Sequence, residues 1–263
     1  MNTLAFDIET VPDVELGRQL YDVADLDDTA VARVMFFKQK QIRQSEVLPP
    51  IQQRVVAISA VLKSRDDLHI FSLGDEQSPE KEIVQRFYDG LERYSPQLVS
   101  WNGSGFDLPV LHYRALKHGV VARRYWEVGE GDRDYRYNNY LSRYHWRHVD
   151  VMDVLSGYGA SARASLDHTA QLLKLPGKLG MSGAQVWPSF QRGELAAIRN
   201  YCETDALNTY LIYLRFELMR GGLDPGQYDA EVAQVEAKLE HSERPHLREF
   251  LAAWRAARDA ASS

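Results

Sequence analysis

A mixed sheet flanked by helices is the fold class that the sequence predicts. Three observations carry it. Strongly β-prone runs at 3–8, 54–63 and 67–73 come early in the chain. A further short run at 97–101 follows a segment with helical periodicity. Beyond it, helical spacing dominates. Strands in succession pair antiparallel, whereas a strand reached through a helix can lie parallel. The first three strands are therefore expected to be antiparallel neighbours, and the fourth can join them in parallel.

Residues 3–8, TLAFDI, contain no turn residue and read as a strand. Residues 13–48 read as helical, because Val31, Val34, Met35 and Ile42 recur at helical spacing and Pro49-Pro50 ends the pattern. RVVAISAVLK (54–63) and DLHIFSL (67–73) are strands joined by the turn Ser64-Arg65-Asp66. Ser78-Pro79 starts a helix, with Pro79 at its first position. Ile83, Val84, Phe87, Tyr88 and Leu91 form the apolar side of that helix. QLVSW (97–101) is a short strand, followed by a turn at Gly103 and Gly105 and a helix over 108–117. Residues 120–148 have no clean period. Ser165 caps a helix that runs through Leu173 and stops at Pro176-Gly177. A long helix over 194–219 ends at Gly221-Gly222. Residues 226–261 form two charged helices split near Pro245. The domain expectation is a main unit over 1–222, carrying an inserted segment at about 120–148, with a C-terminal helical extension over 223–263.

Composition narrows the class. The chain has 263 residues, of which 44% are hydrophobic and 26% charged, as in an ordinary globular protein. No stretch approaches the roughly 18 uninterrupted apolar residues of a membrane span. The single cysteine, Cys202, excludes a disulfide framework and a multi-cysteine zinc site. The opening MNTLAFDIET lacks the basic and apolar regions of a secretory signal, so a cytoplasmic setting is expected. With 31 basic and 37 acidic residues the formal charge is −6, which argues against a bulk nucleic-acid coat protein.

Four carboxylates stand where folding alone would not put them. Asp7 and Glu9 are two apart on a strand, so they project from one face while Phe6 and Ile8 project from the other. Asp107 follows a strand and a glycine turn, at the start of a helix, where a capping role competes with a functional one. Asp205 interrupts the mainly apolar helical stripe Ile198, Tyr201, Cys202, Thr209, Ile212, Tyr213 and Phe216. A buried carboxylate without a partner is costly, so it calls for a cation or strong hydrogen bonds. Tyr201, one turn before Asp205, can supply such a bond. Taken together, the four acids suit the oxygen-ligand chemistry of Mg²⁺ or Mn²⁺. Two such ions about 3.5–4 Å apart clamp an in-line phosphoryl displacement. They would also let an acidic protein handle a polyanion.

Phe6-Asp7-Ile8-Glu9-Thr10, Asn102-Gly103-Ser104-Gly105-Phe106-Asp107-Leu108-Pro109 and Tyr201-Cys202-Glu203-Thr204-Asp205 occur in that order. Together they resemble the three motifs of the DEDD 3′–5′ exonuclease superfamily. The Tyr-x-x-x-Asp form resembles its tyrosine subclass, DEDDy. In the histidine subclass a His stands five residues before the last Asp, and here that position is Asn200. The second motif, with Val149 to Leu155 and Leu175 to Lys178, looks most like stand-alone bacterial predicted exonucleases related to the proofreading domain of family-B DNA polymerases. The resemblance covers roughly residues 1–220. It implies a ribonuclease-H-like fold and two divalent cations, with Asp7, Glu9, Asp107 and Asp205 as metal ligands. It also implies that Asp7 bridges both ions, Glu9 and Asp205 serve the ion carrying the attacking water, Asp107 supports the second, and Tyr201 orients the water. Single-stranded or 3′-ended DNA is the implied substrate. RNA hydrolysis is the nearest alternative, and a non-catalytic module that binds nucleic acid or docks a partner is the alternative from another class.

Other residues are open to two readings. Thr10, Asn102, Phe106 and Lys178 are candidate substrate contacts, each also explicable by local packing or solvation. The stretch 112–148 combines Arg114, Arg123, Arg124, Arg136, Arg143 and Arg147 with Tyr125, Trp126, Tyr135, Tyr137, Tyr140, Tyr144 and Trp146. Such a surface suits single-stranded nucleic acid. It equally suits an insertion that packs its own rings and pairs its arginines with Asp132 and Asp134. Asp150 and Asp153 read as a supporting acid pair, His145 and His148 as surface or substrate-facing, and Cys202 as a small buried thiol.

Overall fold

The computed structural model describes residues 2–65 and 67–262. Its sheet has five strands in the order β3-β2-β1-β4-β5. They are β1 (Thr3–Pro12), β2 (Gln53–Lys63), β3 (Leu68–Ser72), β4 (Gln97–Ser100) and β5 (His148–Asp150). β2 pairs antiparallel with both β1 and β3. β4 runs parallel to β1, and β5 parallel to β4. This is the mixed sheet expected, with the first three strands antiparallel. β5 is an addition: at three residues it is too short for a pattern to betray it. Asp66, expected in the β2–β3 turn, lies outside the described residues.

The helices are α1 (Val14–Tyr21), α2 (Asp28–Arg43), α3 (Glu80–Tyr94), α4 (Asp107–His118), α5 (Arg123–Trp126), α6 (Val151–Leu155), α7 (Leu166–Leu172), α8 (Gly183–Gln191), α9 (Leu195–Met219), α10 (Pro225–Glu240) and α11 (Pro245–Ser262). The single helix expected over 13–48 is two. Asp22 closes α1 in a left-handed conformation (φ 53°), and Asp27 opens α2 by accepting from the Ala30 N–H. Ile42, read as part of the apolar face, is exposed. Pro79 caps α3 from outside rather than opening it, and Glu80 takes the first position.

Strand alternation divides β1 between two cores. Phe6 and Ile8 pack with Phe87 and Leu91 of α3 and Leu111 of α4. Ala5 faces the other way, with Val61, Val99, Val149 and the α9 residues Leu207 and Leu211. α10 and α11 join that second core through Val235, Leu239, Phe250 and Trp254. Most of α9 is buried, Glu203, Asp205, Asn208 and Glu217 included, so its apolar residues extend well beyond one stripe. Among the described residues no helix is long and apolar enough to cross a membrane.

Two features of β1 place the site. Its pairing with β4 ends at Ala5–Val99, so Asp7 and Glu9 lie beyond the last β4 partner. Its register with β2 slips between Glu9 and Thr10, where Glu9 pairs with Ala57 and Thr10 with Val55. Val56 is therefore the extra residue of a bulge, a device that bends a strand and re-aims its side chains. The two acids therefore stand at the carboxyl end of β1, past its pairing with β4, the end at which open α/β sheets bind ligands.

Candidate active site

Asp7 and Glu9 share the β1 face turned to α9, where Asp205 meets them. One carboxylate oxygen from each of Asp7, Glu9 and Asp205 lies within 4.8 Å of the others. Glu9 and Asp205 are buried and Asp7 is half-buried. Asp107 stands outside this tight trio, but its charge is close enough to act on both Asp7 and Glu9. It is buried at the first position of α4 rather than at the cap, which is Phe106.

The electrostatics match four acids sharing one low-dielectric space. Burial, reinforced by Glu9, Asp107 and Asp205, pushes the Asp7 carboxyl well above the usual carboxylate range. Burial, then Asp205 and Asp107, does the same to Glu9, against the opposing pull of Lys178. Burial raises Asp107 to about 7, with Asp150 adding to the rise while the N–H groups of Asp107 and Ile8 oppose it. Asp205 is raised by burial to about 6, held from going higher by the Tyr201 hydroxyl and Lys178.

Divalent-cation binding can be tested on the donor set itself. Asp7 Oδ2 and Asp205 Oδ1 are buried and have no hydrogen-bond partner. Ionised carboxylate oxygens can only accept, and buried ones without donors are expensive. Three clustered carboxylates with two orphaned oxygens fit a hard cation with oxygen ligands.

Tyr201 completes the group. It lies one turn before Asp205 on α9 and donates toward that carboxylate. Burial, then the negative charges of Asp205, Glu9 and Asp7, drives its phenol far above the ordinary value of 10. Cys202, next to it, is a buried thiol whose Sγ donates to the Asp7 carbonyl at 3.3 Å. Its pKa is raised well above the usual thiol value by burial first.

Residues 45–254 match the family of predicted 3′–5′ exonucleases related to the exonuclease domain of PolB. The chain belongs to that family. The matched region contains Asp107, Tyr201 and Asp205, and it begins after Asp7 and Glu9. Two polymerases are similar to the chain. A DNA polymerase of Archaeoglobus fulgidus is 26% identical over 166 residues, which is 62% of this chain and 20% of the polymerase. The catalytic chain of DNA polymerase epsilon from Dictyostelium discoideum is 26% identical over 142 residues, or 52% of this chain and 6% of that polymerase. The chain thus aligns with a fifth or less of these much longer relatives.

In this exonuclease-family chain the turn before Asp107 is held by a residue whose task the sequence did not reveal. Asp150 accepts the Asn102 N–H and the Ser104 N–H, each at 2.9 Å, and caps α6 through the Asp153 N–H. Asn102 itself is left-handed (φ 63°). A Cβ on Gly105 would come within 2.6 Å of Asn102 Oδ1, so a larger residue there would displace the Asn102 side chain.

The candidate substrate contacts separate. Lys178 is near enough to act on Glu9 and Asp205. Its loop is tied down by Asp167, which accepts the Lys178 N–H at 3.0 Å, and by Asn208, which donates to the Gly177 carbonyl at 3.0 Å. Neither Asp167 nor Asn208 was singled out in the sequence, although Asn208 is a polar residue one turn from Asp205. Asn102 serves the turn through its backbone. Phe106 packs partly against the α3–α4 core. Thr10 donates to Gln53 Oε1 at 2.9 Å, beyond the bulge.

The basic and aromatic stretch 112–148 is divided. Tyr125, Tyr135 and Tyr140 are buried in the core, Arg147 lies over the Tyr135 ring, and Arg124 pairs with Asp132 at 2.8 Å. Trp126, Tyr137, Tyr144 and Trp146 remain exposed. His148 is buried rather than surface-facing. It is hydrogen-bonded to Ser100 at 2.8 Å, and burial depresses it to about 4.

Proposed function

We propose that this protein is a metal-dependent nuclease that shortens single-stranded or 3′-ended DNA from its 3′ terminus, releasing nucleoside monophosphates. The observation that carries the reading is the convergence of Asp7, Glu9 and Asp205 within 4.8 Å, with two buried oxygens lacking donors. Family membership supplies the reaction class, and the likeness to DNA polymerases favours DNA.

Asp7, Glu9 and Asp205 would hold the Mg²⁺ or Mn²⁺ ions, and Asp107 would support them from the α4 end. When bound, such ions lower the pKa of the attacking water and offset charge on the leaving oxygen. The protein's own part is positioning. Tyr201 stays protonated, so its hydroxyl orients the nucleophilic water rather than removing a proton. Lys178 adds positive charge beside the carboxylates, where a scissile phosphate must approach. Asp150 keeps the Asn102–Ser104 turn in shape, and so sets where α4 presents Asp107.

Product analysis tests the reading. The protein is incubated with single-stranded DNA in Mg²⁺, Mn²⁺ or EDTA, and the released material is separated by chromatography. Nucleoside monophosphates that appear only with a divalent ion support it. Internal fragments, or release that persists in EDTA, would overturn it. Digestion of RNA but not DNA in the same assay would move the substrate to RNA.

A further inference from the structure

Outside the carboxylate site, a second charged cluster lies beside α6. The buried carboxylate of Asp153 holds two arginines from different segments, Arg143 at 2.8 Å and Arg163 at 2.7 Å. Both arginine side chains remain open to solvent, at 43% and 36% exposure. Each contacts the carboxylate through one terminal nitrogen, and a guanidinium carries five N–H donors. The Arg143 guanidinium stands 4.8 Å from the centre of the Tyr158 ring. Tyr144 packs against Tyr158 edge-on, with centroids 5.0 Å apart and planes at 69°. Tyr144 is 69% exposed.

The backbone beneath this cluster is unusual. Tyr158 is left-handed at φ 62°, directly after Gly157 at φ 58°. A bulky residue in that region is strained, and such strain gathers at ligand sites. The cluster is also tied to the carboxylate site. α6 is capped by Asp150, which grips the turn leading to Asp107, and Asp153 lies one helical turn further along the same helix. Anchoring the 156–165 loop accounts for Asp153 and its two ion pairs. It does not account for an exposed tyrosine ring braced against a strained one beneath an arginine.

We propose that Arg143, Tyr144, Tyr158 and Arg163 form a platform for single-stranded nucleic acid upstream of the scissile 3′ end. The arginines take phosphates, and the Tyr144 ring stacks on a base, the combination that suits strand binding without sequence preference. The proposal rests on the nuclease reading above and adds to it where the strand runs.

Kinetics on short and long strands test it. Oligothymidylates of three and ten nucleotides are compared in Mn²⁺ with wild type, Tyr144→Ala, Tyr144→Phe and Arg143→Gln. Tyr144→Ala should raise the KM of the ten-mer relative to the trimer by roughly 5- to 150-fold, the range set by one lost stacked base. Tyr144→Phe, which keeps the ring, should restore the wild-type ratio. Arg143→Gln should lower affinity for the ten-mer and flatten its salt dependence. An unchanged ratio in Tyr144→Ala would overturn the platform. Anisotropy of a labelled ten-mer, DNA or RNA, is measured in parallel on the same variants in an Asp205→Asn background. If wild type hydrolyses neither strand yet Tyr144→Ala still weakens this binding, the nuclease reading fails and the platform stands. If binding is also unaffected, the platform fails.

Discussion

Tyr201 and Asp205 stand one helical turn apart on α9, and the tyrosine hydroxyl donates toward the carboxylate. The same carboxylate is drawn against Asp7 and Glu9 from the neighbouring strand. Tyr201→Phe removes the hydroxyl and leaves the three carboxylates in place. The turnover rate should fall by roughly 10- to 100-fold, the cost of a misplaced reactant. Mn²⁺ affinity, read by calorimetry, should stay within about twofold of wild type. A parallel loss of metal affinity would show that Tyr201 shapes the carboxylate cluster instead.

Asp205→Asn should abolish turnover without lowering the melting temperature of metal-free protein at pH 8. The sign follows from the raised pKa. The folded value of about 6 exceeds the ordinary 3.8, so the folded state binds the proton more tightly. The stability this lends is complete below about pH 4 and lost as pH rises through 6. At pH 8 the wild-type charge is a penalty on the order of 3 kcal/mol at most, which asparagine removes. A melt well below wild type in EDTA would contradict this.

Divalent ions should reverse that penalty. Saturating Mn²⁺, at about 100 times its dissociation constant, should stabilise wild type by about 2.7 kcal/mol. Asp7→Asn should lose most of that gain, because Asp7 Oδ2 is one of the two orphaned oxygens. Thermal melts with and without the ion measure both effects.

Buried His148 and half-buried His112 both weaken the fold toward acid pH. Burial depresses both His112 and His148 to about 4 from the usual 6.5. In each case the unfolded chain binds the proton more tightly. Their contribution is therefore intact above pH 6.5 and lost as pH falls toward 4. The raised carboxyls of Asp107 and Asp205 act the other way over the same range, so the effect is read by difference: in urea denaturation between pH 7 and pH 4.5, His148→Asn should gain stability relative to wild type as pH falls. An equal slope in the variant would place the acid sensitivity elsewhere.

The sequence displayed the parts of this site that obey a period. Strand alternation puts Asp7 and Glu9 on one face, and Asp205 interrupts a helical stripe, so an out-of-place acid could be read at each. Three antiparallel strands were legible because each is a β-prone run without a turn residue inside. Features without a period were hidden. β5 spans three residues, and the last of them, Asp150, acts on backbone N–H groups some 50 positions away, which no local pattern can show. Residues 120–148 show no period because Tyr125, Tyr135 and Tyr140 are core while Tyr137 and Tyr144 are exposed, at irregular spacing. The break between α1 and α2 depends on left-handed Asp22 and on a cap by Asp27. Both residues sit in an acidic run that reads as an ordinary helix surface.

The direction of shortening is the most direct test of the central claim. A 5′-labelled single-stranded DNA is followed on a gel in Mn²⁺, Mg²⁺ or EDTA, with Asp205→Asn alongside wild type. A ladder that shortens from the 3′ end, needs the ion and vanishes in the variant is the predicted result. An equal ladder in Asp205→Asn, or none from wild type on either DNA or RNA, would contradict the assignment of Asp7, Glu9, Asp107, Tyr201 and Asp205 as a hydrolytic site.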